Sequence, residues 1–106
     1  MNKHQVFYSQ DLATVEAFKK KFPFLVIFNN PELLINHLAI SPPNQLILDL
    51  GKGQDNAIAI LTQLTILRIE IPDKLILTNQ PFDDLSLRVK QLLDVRIEKK
   101  STFKGL

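Results

Sequence analysis

The sequence contains no cysteine and no tryptophan, and only three glycines among its 106 residues. Without cysteine, disulfides, thiolate nucleophiles, zinc–thiolate centres and iron–sulfur clusters are excluded, and the redox compartment is left unmarked. Two of the glycines fall in Gly51-Lys52-Gly53, which has the pattern of neither a P-loop nor a dinucleotide-binding turn. Long apolar runs are missing too. The longest apolar stretch, Phe22 to Phe28, contains Pro23 and falls far short of the ~20 residues that a membrane-spanning helix needs. The N-terminal Met1 to Gln5 is not followed by the apolar stretch of a secretion signal. A soluble cytoplasmic protein is the expectation. A strong excess of one charge is also absent. Thirteen Lys+Arg against eleven Asp+Glu leave +2, too little to imply a nucleic-acid footprint by itself. Lys19-Lys20-Lys21 and the group Lys99, Lys100 and Lys104 carry no interleaved stacking aromatics and read as solvated faces.

What is present fits one ordinary domain spanning residues 1–106. Hydrophobic residues make up 45% and charged residues 23%, the balance of a folded chain. Short apolar runs alternate with segments whose apolar residues recur at three- and four-residue steps. Val6-Phe7-Tyr8 predicts a strand, and Asp11 caps a helix over 12–21 with Val15, Phe18 and Phe22 on one face. Phe24 to Phe28 predicts a second strand. Asn30-Pro31 opens a second helix, to about Ala39. Leu46 to Leu50 is apolar on both faces until Asp49, which suits a parallel strand covered on both sides. A third helix over 56–68 carries Ile60, Leu61, Leu64 and Leu67. Lys74 to Thr78 is a second strand of the both-faces type. Asp83 or Asp84 caps a fourth helix to about Leu93, and Val95 to Glu98 alternates like an edge strand.

Alternating strands and helices imply a parallel sheet with right-handed crossovers. With five strands the expected fold is α/β, a three-layer flavodoxin-like open sheet of order 2-1-3-4-5. Such sheets place ligands outside the strand C-termini at the switch between strands 1 and 3. That rule gathers Ser9, Gln10, Asp11, Asp49, Gly51 and Thr78 around one crevice.

Along nearly its whole length the chain resembles the receiver domains of bacterial response regulators. Leu46-Ile47-Leu48-Asp49-Leu50 is similar to the strand that ends in the family's phospho-accepting aspartate. Leu75-Ile76-Leu77-Thr78 is similar to the strand that ends in its switch threonine or serine. Lys100-Ser101-Thr102 is similar to the segment that begins with its lysine, although Ser101 stands where the family has proline. The separations between Asp49, Thr78 and Lys100 are close to those of the family.

The departures concern charge. The resemblance implies a Mg²⁺ held by two adjacent carboxylates after strand 1 together with the acceptor aspartate, because phosphoryl transfer to a carboxylate needs a divalent cation. Here Ser9-Gln10 stand at that place. Asp11 would restore one carboxylate if the register slipped, but it also sits where a helix cap belongs. Lys52 adds a cation where the family has a hydrophobic residue and proline. Asp49 is therefore either a retained phospho-acceptor with altered chemistry or a polar strand end paired with Lys100. Thr78 is either a switch or a strand-terminal hydroxyl bonded to backbone. No resident metal or cofactor is expected.

The remaining polar candidates are weaker. His4 and His37 have no acidic or histidine partner at a ligand spacing, and His37 reads as a boundary residue of a helix. Ser9, Ser41, Ser86 and Ser101 show no nucleophile elbow, and no base–nucleophile pair is visible, so no enzyme is expected. The tail, Lys99 to Leu106, accommodates only the start of the receiver fold's fifth helix, giving four helices and a truncated fifth. That truncation predicts an apolar face over strands 1, 3 and 4 left bare by the missing helix, to be covered by another subunit, a second copy or a segment downstream in a longer parent chain, or alternatively by the tail folding back over it. The function implied is a degenerate receiver acting as a protein–protein interaction module in signalling or transcriptional regulation, as a dimer or with a partner. The alternatives are a working phospho-acceptor receiver using Asp49 and a small structural subunit that shares the fold.

Overall fold

The computed structural model describes residues 4–49, 54–78 and 96–99. The expected fourth helix, the Gly51-Lys52-Gly53 loop, Lys100 and the tail lie outside the described residues. Eight elements follow one another: β1 (Gln5–Tyr8), α1 (Leu12–Lys21), β2 (Val26–Phe28), α2 (Pro31–Ile40), β3 (Gln45–Asp49), α3 (Gln54–Ile66), β4 (Asp73–Thr78) and β5 (Arg96–Lys99). The strands form one parallel sheet in the order β2-β1-β3-β4-β5. The order expected from the alternation of elements is the one observed.

Local chemistry sets the element boundaries. Asp11 is extended (φ −86°, ψ 108°), and its carboxylate accepts from the Ala13 backbone N–H at 3.2 Å and the Thr14 hydroxyl at 2.8 Å. Such a cap satisfies N–H groups that the first helical turn leaves without partners. Asn30 does the same for α2, accepting from Glu32 N–H at 2.9 Å and Leu33 N–H at 3.1 Å, while Pro31 fills the first helical position, where no amide hydrogen is needed. The second strand is shorter than its apolar run. Phe24 and Leu25 belong to a turn after Pro23, closed by a bond from Leu25 N–H to Phe22 O at 3.1 Å.

The end of α3 also differs from the expected 56–68 span. Arg68 has φ +56°, its N–H reaches Thr65 O at 3.2 Å, and Ile69 N–H reaches Leu64 O at 2.9 Å. These are the paired bonds of a Schellman stop, usually built on glycine because a side chain costs free energy at positive φ. Leu67 consequently turns outward and is half exposed. Replacing Arg68→Gly is expected to raise stability by about 0.5–1 kcal/mol, read as a higher urea midpoint at unchanged slope. A lower midpoint would mean that the arginine side chain contributes more than its backbone conformation costs.

Strand alternation divides the core in two. Val6, Tyr8, Leu46, Leu48 and Ile76 face Leu34 and Leu38 of α2 and Ile60, Leu61 and Leu64 of α3. Phe7, Ile47, Leu75 and Leu77 face the other way, toward Phe18 of α1, Phe22 at its C-terminal cap and Leu25. The second face was expected to be left bare unless another subunit, a downstream segment or the folded-back tail covered it. Phe7, Ile47, Leu75 and Leu77 are at most 1% exposed within the single chain. Phe18, Phe22 and Leu25 belong to the same buried cluster. Among the described residues no helix is long and apolar enough to cross a membrane.

Candidate functional site

The C-terminal ends of β1, β3 and β4 meet at one edge of the sheet. Register places Tyr8 beside Leu48 and Asp49 beside Leu77. Ser9, Asp49 and Thr78 therefore end three neighbouring strands, and all three are buried. The crevice expected at the strand 1–3 switch is assembled from these residues.

Its centre is a hydrogen bond. The Ser9 hydroxyl donates to Asp49 Oδ2 at 2.6 Å, a short charge-assisted contact. The same Ser9 oxygen accepts from Asp11 N–H at 3.1 Å, and Ser9 N–H donates to Phe28 O at 3.2 Å. A hydroxyl has one proton to give, and here it goes to the aspartate. Ser9 is fully buried, so it is fixed by the chain on every side.

Asp11 is turned to a different task. Its two carboxylate oxygens serve the start of α1, one toward Ala13 and one toward Thr14. The capping reading is the one the geometry supports. Gln10, between them, is exposed. Tyr8 lies beneath, and burial raises the pKa of its phenol, with the Gln10 side chain opposing part of the rise. The expected pairing of Lys100 with Asp49, and the contribution of Gly51 and Lys52, lie outside the described residues.

A magnesium ion of the receiver kind does not fit the donors described. Mg²⁺ takes hard oxygen ligands in near-octahedral order and is held through carboxylates. Among the described residues Asp49 is the carboxylate at the crevice centre, and one of its oxygens already accepts the Ser9 hydroxyl hydrogen bond. Among the described residues no group of three or more His, Cys, Asp or Glu side chains could hold a metal ion.

Two features were not visible in the sequence. The side chains of Gln5, Gln45 and Asp73 join at the opposite edge of the sheet: Gln5 Nε2 donates to Gln45 Oε1, and Gln45 Nε2 donates to Asp73 Oδ2 at 2.9 Å. Glutamine at the first position of β1 and of β3 was the available signal, since parallel pairing sets those positions side by side. The second feature corrects the sequence reading of the histidines. His4 and His37 are brought together, Nε2 to Nε2 at 3.3 Å. A groove of about 660 Å³, lined by Leu64, Thr65, Arg68 and Lys74 among others, lies beside the end of α3 and not at Asp49.

No family model matches the sequence, and no curated protein does. Solved structures do resemble it. The isolated REC domain of RcsB from Salmonella enterica serovar Typhimurium, in the presence of phosphomimetic BeF3−, superposes with a TM-score of 0.70 at 17% identity, covering 98% of this chain and 81% of that one. A de novo designed Rossmann 2x3 fold protein superposes at 0.68, also at 17% identity, covering 92% and 78%. Both are likenesses of fold. The receiver-like, flavodoxin-like architecture is shared with that REC domain and equally with a designed protein.

Proposed function

We propose that this chain is a degenerate receiver-like module that acts by binding a protein partner or a second copy of itself, in cytoplasmic signalling or transcriptional control. In this reading Asp49 takes up no phosphoryl group by the usual Mg²⁺-dependent route, and the chain turns over no substrate of its own. The receiver-like fold supports a signalling role. The bond from Ser9 to Asp49 carries the rest. Phosphorylating a carboxylate requires a cation to offset the incoming phosphoryl charge. Ser9 offers a neutral hydroxyl where the receiver pattern offers a carboxylate, and it occupies an Asp49 oxygen with its own proton. Asp11, the alternative carboxylate, is engaged in capping α1.

The test is incubation with acetyl phosphate and Mg²⁺ followed by intact mass measurement, with a conventional receiver domain as positive control. The expected result is no phosphoryl adduct under conditions that load the control. An adduct that disappears in Asp49→Asn would overturn the proposal in favour of a working phospho-acceptor.

A further inference from the structure

We propose that His4 and His37 form a two-imidazole site for a divalent transition-metal ion of the zinc class, at the end of the sheet opposite Asp49. Two imidazoles bound through Nε2 to one tetrahedral ion at about 2.05 Å would have nitrogens roughly 3.3 Å apart and ring centres about 5.2 Å apart. The observed separations are 3.3 Å and 5.3 Å, with the rings inclined at 79°. With no ion bound, the same 3.3 Å separation serves a direct contact between the two ring nitrogens, one donating and one accepting. The two Nε2 atoms thus stand at the spacing of two ligands on one ion.

Both side chains stand on fixed backbone. His4 precedes β1, and its N–H donates to Asn44 Oδ1 at 3.1 Å while its carbonyl accepts from Asn44 N–H at 2.8 Å. His37 lies in the last turn of α2, its carbonyl accepting from Ser41 N–H at 2.8 Å, and Phe28 packs against its ring with centres 5.1 Å apart. The half-buried pair thus links the start of a central strand to the end of a covering helix. Imidazole suits zinc, copper and nickel and is a poor partner for magnesium or calcium. With two protein donors the remaining positions fall to water, so binding is weaker than at a closed four-ligand site. This site shares no residue with the Ser9–Asp49 crevice and stands or falls independently of the proposed function.

The experiment is a titration of the whole chain with zinc chloride in a non-coordinating buffer, followed by calorimetry and by the imidazole resonances in NMR. The expected result is saturable 1:1 binding in which both histidine rings shift together, reversed by EDTA and not reproduced by magnesium chloride. His4→Asn and His37→Gln should each weaken binding at least tenfold. Their circular dichroism and melting without metal establish that they fold, and the joint ring shift in the parent chain decides the question even where a variant does not. A shift confined to one ring, non-saturating binding, or undiminished affinity in folded His37→Gln would overturn the proposal.

Discussion

Replacing Phe7→Ala should cost about 3–5 kcal/mol of folding stability, the largest single loss expected from this chain. Phe7 is fully buried on the central strand β1, which pairs with β2 on one side and β3 on the other. Its ring stacks on Phe18 of α1, with centres 4.3 Å apart and planes 13° from parallel, and Phe18 in turn meets Phe22 edge-on at 5.2 Å. Truncation removes the transfer free energy of the ring and leaves a cavity that the flanking strands cannot close, because the β1–β2 and β1–β3 hydrogen bonds fix their spacing. Total stability for a domain of this size is about 5–15 kcal/mol, so the variant should populate the unfolded state measurably near physiological temperature. Urea unfolding followed by circular dichroism checks this. A double-mutant cycle with Phe18→Ala should return a coupling of about 0.5–1.5 kcal/mol for the ring pair. A Phe7→Ala loss below 1 kcal/mol would mean that this layer is far looser than the buried areas indicate.

The second large effect concerns the crevice and depends on the cation present. With EDTA, Ser9→Asp should destabilise by about 3 kcal/mol, because it removes a hydrogen bond to a buried charged group and sets a second carboxylate against the first. Ser9→Ala should lose less, about 1.5–2 kcal/mol, since it deletes the bond without adding charge. Millimolar Mg²⁺ should invert that order. The acidic variant gains a cation held between two carboxylates, while the alanine variant and the parent stay where they were. Thermal melts of the three proteins with and without Mg²⁺ supply the measurement. If Mg²⁺ stabilises the parent as much as Ser9→Asp, the parent crevice already holds the ion and the charge argument fails.

The sheet was legible in the sequence because β3 and β4 are apolar on both faces, a pattern that a strand covered by helices on two sides requires. The helix starts were legible because Asp11 and Asn30 are capping residues placed just before apolar repeats. Less was available where tertiary contact decides. Phe24 and Leu25 look like strand residues, yet the turn after Pro23 claims them. Leu67 fits the inner stripe of α3 by spacing, but the left-handed Arg68 ends the helix before that stripe reaches it. Of the site, Ser9 beside Asp49 follows from topology, since strands 1 and 3 are neighbours. The hydrogen bond between them does not, because rotamers are outside the reach of spacing arguments. The histidines are 33 positions apart and meet only because α2 ends over the strand that begins after His4. No periodicity encodes that meeting.

The brevity of β2 has a consequence for behaviour at high concentration. It is one rim of the sheet and spans only Val26–Phe28, between Pro23 and Pro31. Rims with long rows of free amide and carbonyl groups recruit strands from other molecules and seed fibrils. Three residues bracketed by prolines offer an incoming chain too short a template to hold it, so this side of the molecule resists templated aggregation without a charged guard.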